Sequence, residues 1–248
     1  MRRGTGVLLL VAAAMALATL ATRVPEALAG VEGFRVSGFQ LEGERFLTRD
    51  EVVELLGDPG SHSLWDELDP LARRIEAHPL VREARVRRKL PSTLLVQVVE
   101  REPVALIPGP ALVPLDREGR ELPLDAARHR LDLPLVQPVR EPWAEGISLT
   151  RREVAVLARE AAMLRELDPG LAASASEFAL SAGGDILLRM GEPRITLLYR
   201  SPASTATLRR GLRVLGDFAD RRPDERPLVI DLRFDDQVVV RHRNPSGR

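Results

Sequence analysis

The sequence contains no cysteine. Disulfide bonds, thiolate nucleophiles and cysteine-ligated zinc or iron–sulfur sites are therefore excluded. Aromatic residues make up only 4% of the 248 residues, so aliphatic side chains must build the cores. The formal net charge is zero, because 36 basic residues balance 36 acidic ones. A chain whose main task is to coat nucleic acid would carry a basic excess, so a nucleic-acid partner is not expected.

Arrangements typical of catalysis are missing as well. No histidine stands at metal-ligand spacing from another histidine or from a carboxylate cluster. No serine occupies a G-x-S-x-G elbow. Asp231 and Arg233 are interpreted as an ion pair or a loop anchor within a sheet rather than as a catalytic pair. The sequence thus predicts a protein that is not an enzyme and that needs no metal or cofactor.

A long apolar run occurs only at the N-terminus, where residues Gly4 to Thr22 form an uncharged run of 19. As a helix, this run spans roughly 28 Å, close to the thickness of one bilayer core. Arg2 and Arg3 precede it, and the positive-inside rule keeps that end in the cytoplasm. We therefore predict a single-pass type II membrane protein, with the bulk of the chain on the far side of the membrane from the cytoplasm. The predicted segments are a cytoplasmic tail at 1–5, a transmembrane helix at 6–23 and a linker at 24–33.

A cleaved signal peptide is the alternative for the same segment. Ala27-Leu28-Ala29 has the small residues of a cleavage site before Gly30. The site lies 10 residues beyond Ala18, where the strongest apolar stretch ends, which is far for cleavage. Both alternatives export the rest of the chain.

A compact α/β unit is predicted next. A strand fits Val36 to Glu42, and the capping box formed by Thr48 and Glu51 begins a helix. Asp69-Pro70 supplies an N-cap and a first helical residue for a second helix. Alternating apolar residues on both sides of the turn Leu90-Pro91-Ser92 predict a hairpin. A three-stranded sheet with both helices on one face is the simplest way to bury the apolar sides.

A basic stripe follows the first strand of this hairpin. Arg85, Arg87 and Lys89 recur at period two and therefore share one face of the strand. Anionic lipid or nucleic acid could bind such a stripe, but the absence of net charge favours a plain solvated face.

The second half of the chain combines short strands with two longer helices. Asp116 to Gly119 predicts a turn, and a second capping box, formed by Thr150 and Glu153, begins an amphipathic helix. A last helix fits Pro202 to Arg221, and two strand patterns follow it. The fold class is therefore α+β, with a mostly antiparallel β domain and flanking helices after the first unit.

Two blocks of residues carry a resemblance to a known family. The first block consists of Phe39-Gln40-Leu41-Glu42-Gly43, His78-Pro79-Leu80-Val81, Leu90-Pro91-Ser92-Thr93-Leu94 and Glu100-Arg101-Glu102-Pro103-Val104-Ala105. The second block runs from Ile230 to Arg241. In both, the sequence resembles the FtsQ/DivIB bacterial cell-division proteins. The resemblance implies a POTRA domain at 34–103, a β domain at 104–243 and a C-terminal tail at 244–248.

The family resemblance also implies a function. The chain would be a divisome scaffold anchored in the inner membrane, with its bulk in the periplasm, and it would be concentrated at the septum. It would link inner-membrane division proteins and help to regulate septal peptidoglycan synthesis. Its β domain would bind partners of the FtsB and FtsL type, and its POTRA domain would bind other division proteins. The alternative is a POTRA-containing transport or outer-membrane assembly factor that acts as a periplasmic chaperone. A single POTRA unit and an N-terminal anchor count against that alternative.

The closing valine-rich segment is the candidate partner-binding site. A strand at the end of a domain is a natural edge strand, and its unpaired backbone groups can accept a partner strand. The resemblance points to the same place as the surface that binds FtsB. The simpler alternative is that these valines only complete the sheet. The predicted site residues are Phe234, Asp235, Asp236, Gln237, Val238, Val239, Val240 and Arg241.

Overall fold

A computed structural model describes Met15 and residues 34–138, 149–181, 183–191, 195–202, 204–221, 228–234 and 236–242. These residues divide into two compact units, with the division between Arg101 and Glu102. The predicted transmembrane helix, apart from Met15, lies outside the described residues, as do the linker and the C-terminal tail. In the part that is described, no helix is long and apolar enough to cross a bilayer.

The first unit is a three-stranded sheet packed against two helices. Its elements are β1 (Gly38–Glu42), α1 (Arg49–Leu56), a 3-10 turn (Pro59–Ser61), α2 (Asp69–Glu76), β2 (Val81–Lys89) and β3 (Thr93–Glu100). The strand order is β1-β3-β2, in which β3 is parallel to β1 and antiparallel to β2. The predicted sheet and helices are confirmed, and the last strand along the chain is the central one.

The core of this unit lies between the helices and one face of β3. Leu94, Val96 and Val98 are buried and alternate with more exposed side chains, as expected for a strand with one covered face. Val52 from α1 and Ile75 from α2, both 0% exposed, belong to the same cluster. Burying each such aliphatic side chain contributes about 1.5–3 kcal/mol.

The central strand also holds the loop between β1 and α1. The Glu100 carboxylate, at the end of β3, accepts the backbone N–H groups of Arg45, Phe46 and Leu47 at 2.8 to 3.1 Å. Gly43 begins this loop at φ 85°, and a Cβ there would lie 2.3 Å from the carbonyl oxygen of Val98. Only glycine fits this close approach, so the start of the loop lies directly against the backbone of β3.

One of the two predicted helix starts is right and the other is wrong. At α1, Thr48 Oγ1 accepts the N–H of Glu51 at 3.3 Å, and the Glu51 carboxylate accepts the N–H of Thr48 at 2.7 Å. At α2, Asp69 is not the N-cap, because it is already helical and its side chain makes no capping bond. Leu68 takes that place, since its carbonyl accepts the first helical bond from Ala72 at 3.0 Å.

The second unit is built on an eight-stranded sheet, counted in the described residues. Its elements are β4 (Ala105–Ile107), β5 (Val113–Leu115), β6 (Leu135–Val136), α3 (Arg151–Leu167), α4 (Pro169–Ser174), β7 (Ala175–Leu180), β8 (Ile186–Met190), β9 (Ile195–Tyr199), α5 (Thr205–Arg221), β10 (Leu228–Asp231) and β11 (Val239–His242). The strand order is β11-β10-β9-β8-β7-β6-β4-β5. Helix α5 begins at Thr205 rather than at Pro202.

The sheet is mixed, so the prediction of a mostly antiparallel sheet was incomplete. Among the described strands, the pairs β4–β6, β6–β7 and β9–β10 are parallel and the other four pairs are antiparallel. The 17 residues of α5 connect β9 to β10, and a helical crossover of this kind allows neighbouring strands to run in the same direction. The alternation of apolar and polar side chains along a strand is the same whether the neighbouring strand is parallel or antiparallel, so the sequence pattern did not predict the parallel pairs.

Helix α3 covers the middle of the sheet. Its residues Leu157 and Ala158 are 0% exposed and share a core cluster with Phe178, Leu188 and Leu197 of three adjacent strands. This burial confirms the amphipathic helix predicted after the second capping box.

The turn after β5 packs directly on this helix. Gly119 has φ 74°, and a Cβ there would lie 2.8 Å from the Cα of Ala155 in α3. The Asp116 carboxylate accepts the N–H groups of Glu118 and Arg120, each at 2.9 Å. The predicted turn is thereby confirmed, and its glycine is required by the contact as well as by the backbone angle.

The capping boxes provide a first test of these local contacts. Thr48→Ala and Thr150→Ala should each lower the free energy of unfolding by roughly 1 kcal/mol, because a helix N–H loses its acceptor. Thr48→Ser and Thr150→Ser keep the hydroxyl and should retain most of the stability. Urea unfolding of the chain from residue 34 onward measures the free energy of unfolding of each variant. A variant that lost partner affinity at unchanged stability would contradict a purely structural role for the capping box.

Candidate partner-binding edge

Strand β11 lies at one edge of the sheet. Among the described strands it pairs with β10 alone, in antiparallel register. Val239 lies opposite Asp231, and Val240 lies opposite Ile230. The predicted edge strand therefore exists, at the end of the chain where the valine pattern placed it.

The pairing of β10 with β9 determines which backbone groups of β10 are left for β11. The N–H of Leu232 donates to the carbonyl of Leu198 at 2.8 Å, so it points toward β9. Backbone donors alternate in direction along a strand, so the N–H of Ile230 points toward β9 as well. Val229 and Asp231 therefore direct their N–H groups toward β11.

The same alternation divides the backbone of β11. Arg241 and Val239 lie opposite Val229 and Asp231, so their N–H and C=O groups point inward and complete the ladder. The N–H and C=O groups of Val240 and His242 point away from β10. In the described part of the chain no strand pairs with that side, and such a row accepts an added strand.

The valine side chains hold this edge on the domain. Val238 and Val240 are half-buried and pack against the core cluster of the second unit. Val239 lies on the opposite face of the sheet, together with the exposed side chain of Arg241. Two of the valines thus complete the core, as the simpler alternative proposed, while no described strand pairs with the outer backbone edge beside them.

The remaining predicted residues belong to the connection between β10 and β11. Phe234 follows β10 and is 37% exposed, unusual for an aromatic side chain. Asp236 and Gln237 are exposed, and Asp235 lies outside the described residues. The described site residues therefore form one exposed connection and the edge strand that follows it.

A buried carboxylate fastens the two strands together. Asp231 is 0% exposed, and its two carboxylate oxygens accept Nε and Nη2 of Arg233 at 2.8 and 2.7 Å. Arg241 of β11 donates to the same carboxylate at 3.3 Å. The hydrogen bond from Arg233 lowers the pKa of Asp231, and this effect outweighs burial, which raises it. The ion pair predicted for Asp231 and Arg233 is confirmed.

Sequence reasoning missed the second partner of Arg233. Its Nη1 donates to the Asp185 carboxylate at 2.9 Å, across 48 residues of sequence. Donating hydrogen bonds to both carboxylates raises the pKa of Arg233, which stays a cation at any pH relevant to folding. Asp185 follows a double glycine, which predicts a turn but carries no sign of this distant partner.

The groups at this edge are suited to binding an extended peptide. Within the described ranges, no group of three or more histidine, aspartate or glutamate side chains is arranged to hold a metal ion. The edge offers backbone donors and acceptors, an exposed aromatic ring and an arginine.

Comparison with known proteins agrees with this architecture. Residues 34–101 match the family model described as "POTRA domain, FtsQ-type". The chain is 36% identical over 114 residues to the cell division protein FtsQ of Anaeromyxobacter sp. (strain K), covering 45% of this chain and 39% of that protein. It is 32% identical over 123 residues to FtsQ of Syntrophotalea carbinolica, covering 49% and 44%. In these two matches the aligned part spans less than half of the relative.

A longer match covers both units. The chain is 31% identical over 246 residues to the cell division protein FtsQ of Rhodothermus marinus, covering 93% of this chain and 88% of that protein. The FtsQ-type POTRA unit and the match across both units place the chain among the POTRA-containing proteins. The chain belongs to the FtsQ family of cell-division proteins.

Asp231 supplies a test of how the edge is held. Asp231→Asn should lower the free energy of unfolding by roughly 2 kcal/mol at neutral pH, because two arginines lose a charged acceptor. The folded pKa lies below the unfolded value of about 3.9, so this contribution is present above that pH and is lost as the pH falls through the folded pKa. The difference between parent and variant in urea unfolding should therefore shrink below about pH 4.

Glu177→Gln is the matched control, because it breaks the ion pair with Arg189 between β7 and β8 and leaves β11 untouched. Amide hydrogen exchange at Val239 and Arg241 should accelerate in Asp231→Asn but not in Glu177→Gln. Equal exchange in the two variants would contradict the role of Asp231 in holding β11.

Proposed function

We propose that this chain is a membrane-anchored scaffold of the cell-division machinery and that it acts by binding proteins rather than by catalysis. The outward row of backbone groups on β11 carries the proposal, because an open strand edge accepts an extended peptide. Membership of the FtsQ family supports a role in division rather than in transport or outer-membrane assembly.

The proposed partners are division proteins of the FtsB and FtsL type. A segment of such a partner would add a strand beside β11, accepting from and donating to Val240 and His242. Phe234 would provide apolar contact area at one end of the added strand, and Arg241 would provide charge along it. Through these partners the scaffold would help to regulate septal peptidoglycan synthesis, while its POTRA unit binds other division proteins.

The proposed topology places both units in the periplasm. Residues 6–23 would cross the inner membrane as a helix, with the tail at 1–5 in the cytoplasm and the linker at 24–33 leading to the POTRA domain at 34–103. The β domain would span 104–243, and residues 244–248 would form the C-terminal tail. The protein would be concentrated at the division septum together with its partners.

Proline substitutions at neighbouring positions separate folding from binding. Val239→Pro removes an inward N–H and should lower the free energy of unfolding by roughly 1–3 kcal/mol. Val240→Pro removes an outward N–H and should weaken partner binding by about tenfold or more while costing less stability. The measurements are thermal melting and binding of the partner's exported segment.

Val240→Ala is the control for the side chain, because Val240 also packs against the core. It should bind the partner like the parent, since its N–H remains. If Val240→Pro binds as tightly as Val240→Ala, the docking edge is not β11.

Depletion of the protein tests the division role itself. Cells that lose it should grow as filaments with segregated chromosomes, because septum synthesis lacks its scaffold. Light microscopy with a DNA stain measures both features. Normal division after complete depletion would refute the role, whatever the outcome of the binding experiments.

A further inference from the structure

The turn between β2 and β3 exposes an apolar side chain at one end of the first unit. Leu90 is 75% exposed, the largest exposed fraction among the large apolar side chains of the described residues. It does not belong to the core cluster of this unit. A leucine displayed in this way at the tip of a hairpin is available to an apolar environment outside the unit.

Two cations lie beside Leu90 on the open face of the sheet. Arg87 and Lys89 lie opposite Leu95 and Thr93, so they point away from the face that the helices cover. Both cations are exposed, and Lys89 Nζ donates to Gln40 Oε1 at 2.5 Å. Among the described residues, no carboxylate forms an ion pair with either of them.

The open face is therefore polarised along the strands. At its other end, Glu42 closes β1 and Glu83 pairs with Arg85 at 2.6 Å. An acidic loop, which contains Asp66, also lies near the hairpin end, since the backbone carbonyl of Asp66 accepts a hydrogen bond from Arg88 at 2.9 Å. Arg88 lies opposite the buried Leu94, so that loop belongs to the helix side of the sheet. The hairpin end of the open face is thus the positive end.

The chain also enters the unit at this end. The carbonyl of Phe34 accepts the N–H of Leu64 at 2.8 Å, and the ring of Phe34 packs edge-on against Trp65 at 5.8 Å. The guanidinium of Arg88, near the end of β2, donates to the carbonyl of Leu64 as well. Phe34 and the β2–β3 turn therefore lie at the same end of the sheet.

The length of the preceding chain limits how far this end can lie from a membrane. Eleven residues, 23–33, separate the uncharged run from Phe34. Fully extended, they reach at most roughly 40 Å. The hairpin end is the end of the unit nearest to this connection, so it lies within reach of the bilayer surface.

We propose that the hairpin tip, defined as Arg87, Lys89 and Leu90, docks on the surface of a bilayer that contains anionic phospholipid. Leu90 enters the interface between headgroups and acyl chains, and the two cations bind lipid phosphates. Each basic residue close to an anionic surface strengthens binding by roughly fivefold. The docking orients the POTRA unit on the membrane, and it rests on the membrane anchor proposed above.

The absence of cysteine allows a direct test with the full-length chain. Leu90→Cys creates a unique site for a small nitroxide, which is itself apolar, and Glu44→Cys places the same label at the opposite, exposed end of the unit. Each labelled chain is reconstituted into vesicles of phosphatidylcholine, with or without phosphatidylglycerol. Flotation after an alkaline wash reports the anchor, and label accessibility to oxygen and to a polar nickel reagent reports docking.

The label at position 90 should become more accessible to oxygen and protected from nickel only in phosphatidylglycerol vesicles. The label at position 44 should not change. Arg87→Gln with Lys89→Gln should lower the ratio of docked to undocked protein by roughly twenty-five-fold. Arg73→Gln with Arg74→Gln, which removes two exposed cations from α2, should leave it unchanged. Docking should also weaken at 1 M salt, where the Debye length falls to about 3 Å.

Four results would overturn the proposal. A chain that floats with the vesicles but whose label at 90 stays nickel-accessible has an anchor without docking. Equal responses at 90 and 44 would show adsorption without orientation, and a response only after an acidic peptide is added would assign the tip to a protein partner. A chain washed free of both vesicle types would refute the anchor and the docking together.

Discussion

The parallel pairing of β9 with β10 is the constraint on which the candidate edge depends. It commits the backbone donors of Ile230 and Leu232 to β9, so only Val229 and Asp231 remain to hold β11. Half of the backbone groups of β11 therefore face outward, whatever side chains the strand carries. The ion pairs of Asp231 compensate for this one-sided attachment, because Arg241 ties β11 to β10 through a side chain.

Local signals in the sequence were sufficient for much of the fold. The capping boxes at Thr48 and Thr150 and the alternation of Leu94, Val96 and Val98 depend on contacts within a few residues, and all of them are present. The prediction of Asp69 as an N-cap was wrong, because the helix begins at Asp69 itself and Leu68 is the N-cap. The direction of β10 could not be read, since it follows from the path of α5 across the sheet.

The candidate site was predictable for a different reason, because its residues are consecutive. A valine-rich end of the chain was enough to locate the edge, but the direction of each donor depends on the register with a strand that is distant in sequence. The basic stripe shows the same limit. Period two placed Arg85, Arg87 and Lys89 on one face, and only the structure shows that Glu83 neutralises the first of them.

The position of β3 has a consequence for how the first unit forms as the chain emerges from a ribosome or a membrane channel. Among the described strands, both β1 and β2 pair only with β3, which is the last of the three to emerge. Glu100, which holds the loop at residues 45–47, is the final residue of that strand. Until residue 100 has been delivered, β1 and β2 lack their strand partner, the loop at residues 45–47 lacks the carboxylate that holds it, and the apolar side chains that β3 covers stay accessible.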